Sequence, residues 1–308
     1  METPFGEMPV FDAHAHFFSY RFFQGLLEPV KARYAGKDPY AAMGEELKLE
    51  LPEVDPAKLA ARWVAEMDVK GVSRTVLMAS AVGDEESAAA AVKAFPDRIT
   101  GYFMLDPTRP DAAVRARHAV LQLGLRGIAL FPAMHHFSAA DERVWPIYHA
   151  AAERNAVVFV HFGLLKIAIR DRLGLPSKFD MRYSNPLDLH KAAKEFPNIN
   201  FQIPHFGCGF FREALMLGEL CDNVRLDTSS SNAWVVRSTA VTRCDGRCSG
   251  RRMSRRRRNP RNAVSAAGSI FFASTWACAL SRMAERLFRI LTKRGALAWY
   301  IDMFIGSP

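Results

Sequence analysis

The 308-residue chain contains 49% hydrophobic and 24% charged residues, an ordinary globular composition that excludes wholesale disorder. No apolar run reaches the length of a membrane-spanning helix. The first ten residues carry acid and proline where a secretory signal peptide needs a basic and then an apolar region. Five cysteines at irregular spacings do not form a disulfide framework. We therefore expect a globular protein of a reducing compartment, the cytoplasm, with no membrane partner.

The net charge of +9 comes almost entirely from one segment of the chain. Nine arginines and a single acidic residue, Asp245, lie between Arg243 and Asn262. The rest of the chain is therefore close to neutral. A concentrated basic segment, and not a basic protein, is the feature that needs an explanation.

The first three quarters of the chain alternate between β-rich runs and amphipathic helical segments. The segment 55–71 carries clear helix signals, with Asp55 as N-cap, Pro56 at the first helical position and Gly71 at the stop. Seven β-rich runs are predicted strands, and most are continuously apolar, as in parallel strands that are covered on both faces. These runs are 8–17, 72–79, 99–105, 125–131, 156–162, 199–206 and 224–228.

Seven strands alternating with helices fit a closed (β/α)8 barrel or an open doubly wound sheet, both of the α/β class. A glycine-rich phosphate loop after the first strand would favour the open sheet, but that strand ends in alternating histidines. We therefore favour the TIM barrel, with residues 18–54 and 164–184 as insertions over its mouth. We assign residues 1–236 to barrel strands one to seven. Residues 237–308 are then an arginine-rich irregular segment and the C-terminal remnant of the same domain.

Four histidines fall at the carboxyl ends of three predicted strands, where barrel enzymes keep their active sites. On the first strand, Asp12, His14 and His16 alternate and should share one face. His161 and His205 each end an apolar strand before a glycine-containing loop. Neutral imidazoles are good ligands for zinc and other first-row metals. We favour a metal site over the alternative, a set of histidines satisfied by ordinary hydrogen bonds.

The remaining histidines divide into two groups. His135 and His136 follow the fourth strand, where they either line the same mouth and contact a substrate carboxylate or hydroxyl, or form an exposed loop pair. His118, His149 and His190 fall within amphipathic helical segments. We interpret these three as surface or packing residues.

Four sequence motifs resemble those of the amidohydrolase-related, metal-dependent hydrolases (amidohydrolase 2 type). They are FDAHAHF, VVFVHFG, IPHFGCG and NVRLDTSSSNAW, and the resemblance covers about residues 8–236. The relevant branch includes amino-carboxymuconate-semialdehyde decarboxylase and the resorcylate decarboxylases. The resemblance implies a (β/α)8 barrel that holds one divalent metal ion, commonly zinc.

By this resemblance, His14, His16 and His161 would be metal ligands and His205 the catalytic histidine near the metal-bound water or substrate. The implied function is metal-dependent hydrolysis, or non-oxidative decarboxylation, of a small organic acid, lactone or amide through a metal-activated water. The fold does not choose between these reactions. The partner is a small-molecule substrate, and the oligomeric state is left open.

The family pattern also places an aspartate at the end of strand eight, usually in a Phe-Gly-x-Asp context. The matching segment here is SIFFAST, with Ala273 in place of the glycine and Thr275 in place of the aspartate. Threonine is a poor zinc ligand and cannot act as a carboxylate base. An alternative reading of the chain is therefore a catalytically impaired barrel, either a damaged copy or a pseudoenzyme.

Three explanations compete for the arginine-rich stretch within 238–308. We favour a shifted reading frame, because GC-rich coding DNA read off-frame yields Arg, Ala, Ser, Gly, Cys and Pro. One lost base would also convert Phe-Gly-x-Asp into Phe-Ala-Ser-Thr. A solvated loop ranks second, and a nucleic-acid-binding arm third, because the segment lacks aromatic residues for base stacking. Cys244 and Cys248 lack a second ligand pair to complete a zinc site.

Overall fold

The computed structural model describes residues 2–3, 6–7, 9–177 and 179–229, which belong to one compact unit. Two short antiparallel strands, Glu2–Thr3 and Gly6–Glu7, precede a seven-stranded parallel sheet. Chain order and spatial order in this sheet are identical, which excludes the doubly wound alternative and confirms the α/β TIM-barrel prediction. The strands are β1 (Phe11–Phe17), β2 (Arg74–Ala79), β3 (Ile99–Leu105), β4 (Gly127–Leu130), β5 (Val157–Val160), β6 (Phe201–Ile203) and β7 (Val224–Leu226).

Helices connect the strands, as parallel pairing requires. They are α1 (Tyr20–Leu27), α2 (Pro39–Leu47), α3 (Pro56–Lys70), α4 (Glu85–Ala94), α5 (Ala112–Leu121), α6 (Pro132–His135), α7 (Trp145–Ala152), α8 (Ala168–Arg172), α9 (His190–Glu195) and α10 (Phe211–Leu220). Short 3₁₀ segments lie at Glu28–Tyr34, Glu142–Val144, Met181–Tyr183, Pro186–Leu189 and Pro204–Gly207.

Helix α3 follows its sequence signals closely. The Asp55 side chain accepts a hydrogen bond from the backbone N–H of Ala57, and Gly71 ends the helix with a φ of 68°. An N-cap acceptor satisfies a backbone donor that has no partner within the helix, and glycine adopts the left-handed stop without a Cβ penalty. Leu59 and Met67 are buried on the face that packs towards the sheet.

The strands are continuously apolar because the two faces of the sheet belong to two different cores. On β3, Phe103 and Leu105 belong to the core between the sheet and the helices, while Tyr102 and Met104 belong to an inner core. Phe159 on β5 also belongs to the inner core, where it contacts the His14 ring. Successive side chains on a strand point to opposite faces, so the inner core and the His14 ring lie on the concave side of the curled sheet.

The register between β1 and β2 shifts between Asp12 and Ala15. This bulge interrupts the alternation that predicted Asp12, His14 and His16 on one face. His14 and His16 are buried, whereas Asp12 is exposed and its carboxylate accepts the backbone N–H of His14 at 3.0 Å. The prediction that Asp12 shares the buried face of the two histidines is therefore wrong, and its carboxylate instead supports the backbone at His14.

The two predicted insertions contact each other. The first contains α1 and α2, and the second contains α8. The Arg33 guanidinium donates to the carbonyl oxygen of Leu173 at 2.8 Å, and Arg172 donates to the carbonyl oxygen of Leu47. Each insertion thus supplies one arginine that holds the backbone of the other.

Several predictions fall outside the described residues: strand eight with Thr275, the arginine-rich stretch, Cys244, Cys248 and the boundary at 236/237. These stay predictions. Cys208 and Cys221, the two cysteines in the described part of the chain, are both free thiols. Among the described helices, none combines the length and the apolar character needed to cross a membrane.

Candidate functional site

Four predicted site histidines converge from the second half of β1 and from positions just beyond the carboxyl ends of β5 and β6. The ring centroids of His14 and His16 lie 5.2 Å apart, and those of His14 and His205 lie 5.1 Å apart. His161 is joined to the group through His205, also at 5.1 Å. His14, His16 and His161 are buried, and His205 is partly buried. The structure therefore brings together side chains that are up to 191 positions apart in the sequence.

His16 is held as a neutral imidazole with its proton on Nδ1. Its Nδ1 lies 2.8 Å from the Ser80 hydroxyl, which donates its only hydrogen to the carbonyl oxygen of Met78 at 2.9 Å. The hydroxyl must therefore accept from His16, and the lone pair of His16 lies on Nε2. Burial lowers the pKa of His16 well below its ordinary value, and the neighbouring histidines lower it further.

His14 is bound on its Nδ1 side by the segment that follows β7. Its Nδ1 lies 3.2 Å from Oδ2 of Asp227 and 2.8 Å from the Ser229 hydroxyl. That hydroxyl donates to Oδ1 of Asp227 at 2.5 Å, so towards His14 it can only accept. Both partners thus require a proton on Nδ1 of His14. Its Nε2 faces Nε2 of His16 at 3.3 Å.

His161 contributes a buried polar atom without a partner. Its Nδ1 is fully buried and has no hydrogen-bond partner among the described residues. Its ring stacks on Phe131 at a centroid distance of 5.4 Å. Burial lowers the pKa of His161 well below its ordinary value, so the imidazole is neutral at physiological pH. An unpartnered buried nitrogen costs about 1–3 kcal/mol, which a ligand at this position would offset.

His205 lies in a left-handed backbone turn that runs from His205 to Gly209. The φ angles are 55° at His205, 49° at Phe206, 76° at Gly207, 44° at Cys208 and 108° at Gly209. Left-handed geometry costs about 1–2 kcal/mol for each non-glycine residue. Strain of this kind persists only where surrounding contacts impose it, and it is concentrated at functional sites. We call residues 205–209 the left-handed turn.

Two neighbouring segments impose the left-handed turn. The first is Asp227, just after β7. Its side-chain carboxylate accepts the backbone N–H of His205 at 3.1 Å, and its backbone carbonyl oxygen accepts the N–H of Phe206 at 3.0 Å. From the loop after β5, Leu164 donates its backbone N–H to Cys208 at 2.8 Å. A Cβ at Gly163 would overlap the carbonyl oxygen of Cys208. The loop and the left-handed turn therefore approach each other as closely as glycine allows.

The side chain of His205 has a defined tautomer. Its Nδ1 lies 2.6 Å from the carbonyl oxygen of Ser229, which can only accept, so Nδ1 carries the proton. Burial lowers the pKa of His205, and the nearby His14 lowers it further. The ring is then a neutral base with its lone pair on Nε2, as a general base requires.

Asp227 is the functional candidate to which the sequence analysis assigned no role. Burial alone raises the pKa of this carboxyl, but hydrogen bonds from His14, Ser229 and Gln202 outweigh it and hold the pKa below its usual range. The group is therefore a carboxylate at neutral pH. Asp227 ends a predicted strand, as the site histidines do. The rule that identified those histidines would have identified Asp227 too.

The donor set fits a divalent metal ion at the Nε2 atoms of His14 and His16. Both rings carry their proton on Nδ1, so two lone pairs face each other at 3.3 Å and need a shared cation or proton between them. A second group of possible ligands consists of His14, His205 and Asp227, which each offer one ligand atom, all within 4.8 Å of one another. The Ser229 hydroxyl already bridges Nδ1 of His14 and Nδ1 of His205, so this second group is a hydrogen-bond network.

The predicted substrate contacts, His135 and His136, lie at the end of the short helix α6 that follows β4. His135 is partly buried, and its Nδ1 has no hydrogen-bond partner in the described part of the chain. Burial lowers the pKa of His135, against the opposing effect of Asp106 at the end of β3. His136 is exposed and stacks on Tyr183 of the second insertion at 6.1 Å. Their role as substrate contacts stays a prediction.

The other three histidines lie in or next to helices, away from the histidine cluster. His149 and His190 are exposed, and His118 is partly buried. Nδ1 of His118 lies 2.8 Å from the Gln122 side chain, and the His149 ring packs on Phe196. These contacts are typical of helix surfaces.

Fold and site together define a class: a parallel barrel sheet with a histidine cluster at the carboxyl ends of its strands. The chain belongs to the amidohydrolase family, whose model matches residues 11–241. No curated protein sequence matches the chain.

Solved structures are similar to this chain at low sequence identity. An uncharacterised TIM-barrel protein from Bordetella bronchiseptica is 16% identical, with a TM-score of 0.51, over 75% of this chain and 81% of that one. A 5-carboxyvanillate decarboxylase from Novosphingobium aromaticivorans with bound manganese is 18% identical, with a TM-score of 0.44, over 75% and 72%. A protein described as a probable 2-pyrone-4,6-dicarboxylic acid hydrolase from Acinetobacter baumannii is 14% identical, with a TM-score of 0.45, over 76% and 78%.

Proposed function

We propose that the protein is a metal-dependent hydrolase or non-oxidative decarboxylase of a small organic acid, lactone or amide. The observation that carries the proposal is the convergence of His14, His16, His161 and His205, which come from β1 and from the carboxyl ends of β5 and β6. Membership of the amidohydrolase family supports it. The free thiols of Cys208 and Cys221 favour a reducing compartment, so we propose a cytoplasmic enzyme with a small-molecule partner.

In this proposal His14, His16 and His161 hold one divalent ion, which we propose to be zinc. When bound, such an ion supplies Lewis acidity, polarises a substrate oxygen and lowers the pKa of a coordinated water towards about 7. Ser80 keeps the proton of His16 on Nδ1 and Asp227 keeps the proton of His14 on Nδ1, so that both lone pairs lie on Nε2. Neutral, deprotonated ring nitrogens are the form of histidine that binds metals.

His205 supplies the proton transfer. Its Nε2 lone pair accepts a proton from the attacking water in hydrolysis and returns it to the leaving group. In decarboxylation the carbon that loses CO₂ must gain a proton, and the same nitrogen can deliver it once protonated. Phe18 stacks on His16 at a centroid distance of 5.3 Å, and Phe131 stacks on His161. The two phenylalanine rings provide apolar surface beside the histidine cluster. We expect an unsaturated or aromatic acid to fit this surface.

Metal analysis followed by a substrate panel tests the proposal. Protein loaded with Zn²⁺ or Mn²⁺ is incubated with aromatic acids, lactones and amides, with CO₂ release and acid release measured separately. We expect turnover of at least one of these substrate classes. His205→Gln should lose this turnover and retain the metal. His190→Gln, at the exposed start of α9, is the control and should keep both turnover and metal.

A bound metal without turnover on any panel member would favour the second candidate, a catalytically impaired barrel. The observation behind that candidate is Thr275 in the position where the family pattern places an aspartate. Failure to bind metal would contradict both the ligand assignment and the enzymatic proposal.

A further inference from the structure

A single carboxylate connects the two histidines that the proposed function uses most. Asp227 follows β7, and its side chain is 14% exposed. The sequence pattern places the metal-site carboxylate of the family on strand eight, so Asp227 on strand seven is a different residue with a separate role. Its contacts define that role.

Five donors converge on the two oxygen atoms of Asp227. Oδ2 faces Nδ1 of His14 at 3.2 Å and accepts from the Gln202 amide at 2.8 Å. Oδ1 accepts the backbone N–H of His205 and of Ser229, each at 3.1 Å, and the Ser229 hydroxyl at 2.5 Å. An ionised carboxylate has about four lone-pair sites and no hydrogen, so only this form suits such a set.

The contact with His14 sets which ring nitrogen carries the proton. Oδ2 accepts only, so the proton of a neutral His14 lies on Nδ1 and the lone pair on Nε2. That lone pair points to Nε2 of His16. A carboxylate behind a metal-binding histidine fixes both the tautomer and the ring orientation in this way.

The contacts with residues 205 and 206 hold the left-handed turn. The side chain of Asp227 accepts the N–H of His205, and the carbonyl oxygen of Asp227 accepts the N–H of Phe206. These are the first two residues of the strained run. Asp227 therefore sets the start of the turn from which the His205 ring projects.

We propose that Asp227 is the positioning residue of this site, which fixes His14 in the Nδ1–H tautomer and anchors the left-handed turn that carries His205. This inference rests on the proposed function for its consequence in catalysis. The tautomer itself is a property of the metal-free protein and can be measured without any turnover.

The decisive variant is Asp227→Asn, which keeps the shape and removes one of the two acceptor atoms. The amide oxygen can satisfy the three donors at the Oδ1 position, which places the amide NH₂ against His14. Nδ1 of His14 then faces an N–H donor in place of Oδ2, which opposes a proton on Nδ1 and favours the tautomer with the proton on Nε2, against the Ser229 hydroxyl that still accepts from Nδ1. Long-range ¹H–¹⁵N spectra of histidine-labelled, EDTA-treated protein distinguish the two tautomers, with His14→Gln identifying the signals.

We expect His14 to carry its proton on Nδ1 in the wild type and on Nε2 in D227N. Because Nε2 then cannot bind metal without losing its proton, the Kd for Zn²⁺ should rise about 10- to 100-fold in titrations of the metal alone. Asp222→Asn, at an exposed turn just before β7, is the matched control and should change neither the tautomer nor the Kd.

The proposal is overturned if His14 of the wild type carries its proton on Nε2, a result that needs no variant to fold. It is also overturned if folded D227N keeps both the Nδ1–H tautomer and the wild-type Kd. A tautomer that switches as expected in a protein without turnover would instead uphold the positioning role and count against the proposed function alone.

Discussion

The Nε2 atoms of His14 and His16 lie 3.3 Å apart inside the barrel sheet, each on a ring whose Nδ1 is bound to an oxygen atom. Two lone pairs at this distance repel each other unless a proton or a cation lies between them. The bulge between Asp12 and Ala15 and the contacts of Ser80 and Asp227 all maintain this arrangement.

Removing both imidazoles should abolish metal binding. We expect His14→Ala combined with His16→Ala to reduce the bound metal, measured by elemental mass spectrometry after gel filtration, from about one ion per chain to background. The matched control is His118→Ala combined with His190→Ala, which removes two helix histidines and should leave the metal content unchanged. Equal metal content in the two double variants would overturn the ligand assignment.

The stability of the metal-free protein should fall as the pH drops below about 6.5. Burial lowers the pKa values of His16 and His161 in the folded state, so in this range the unfolded chain binds protons that the folded chain does not. The free energy of unfolding then falls by up to about 1.4 kcal/mol per pH unit for each such histidine. Urea titrations at pH 7.5, 6.5 and 5.5 in EDTA measure this slope.

His161→Gln should flatten this pH dependence, because it removes one of the buried groups. His190→Gln removes an exposed histidine and should keep the wild-type slope. A slope that is the same in all three proteins would show that His161 is not the group responsible.

Gly163→Ala should destabilise the protein much more than Gly36→Ala. Both glycines have a positive φ, 76° and 82°, so both substitutions incur the left-handed penalty of about 1 kcal/mol. At Gly163 the added Cβ also meets the backbone of the left-handed turn, whereas nothing lies within 4 Å at Gly36. We expect a loss of about 2–4 kcal/mol at Gly163 by chemical denaturation.

The same pair of variants tests how His205 is held. Because the clash at Gly163 falls on the carbonyl oxygens of Gly207 and Cys208, relief of the clash must move the left-handed turn. The ring signals of His205 should shift in Gly163→Ala and stay in place in Gly36→Ala. Equal losses of stability in the two variants would contradict the close approach.

Cys208 should react slowly with alkylating reagents although it is only partly buried. Burial raises the pKa of this thiol to about 11, so its thiolate fraction at pH 8 is about a thousandth. Even with the higher nucleophilicity of a more basic thiolate, alkylation should be at least about tenfold slower than in the urea-unfolded chain. Peptide mapping by mass spectrometry follows this residue separately from the other cysteines. A native rate equal to the unfolded rate would contradict the prediction.

The amino-acid sequence by itself determined the strand order, the ends of α3 and the convergence of four histidines. Apolar runs in a strand–helix alternation require a parallel sheet covered on both faces, and parallel strands bring their carboxyl ends to one edge. Histidines placed at those ends must therefore meet. This reasoning needs only local patterns and the right-handed βαβ connection, which is why it predicted that His14, His16, His161 and His205 lie close together.

Only the tertiary structure decided the bulge at Asp12, the left-handed turn and the role of Asp227. A positive φ at His205, Phe206 and Cys208 runs against the local preference of each residue and exists because β7 and the Gly163 loop impose it. The five donors around Asp227 come from β1, from β6 and the left-handed turn after it, and from the segment after β7. Contacts that balance local strain against distant hydrogen bonds leave no periodic signal in a sequence, so they emerge only when the chain is folded.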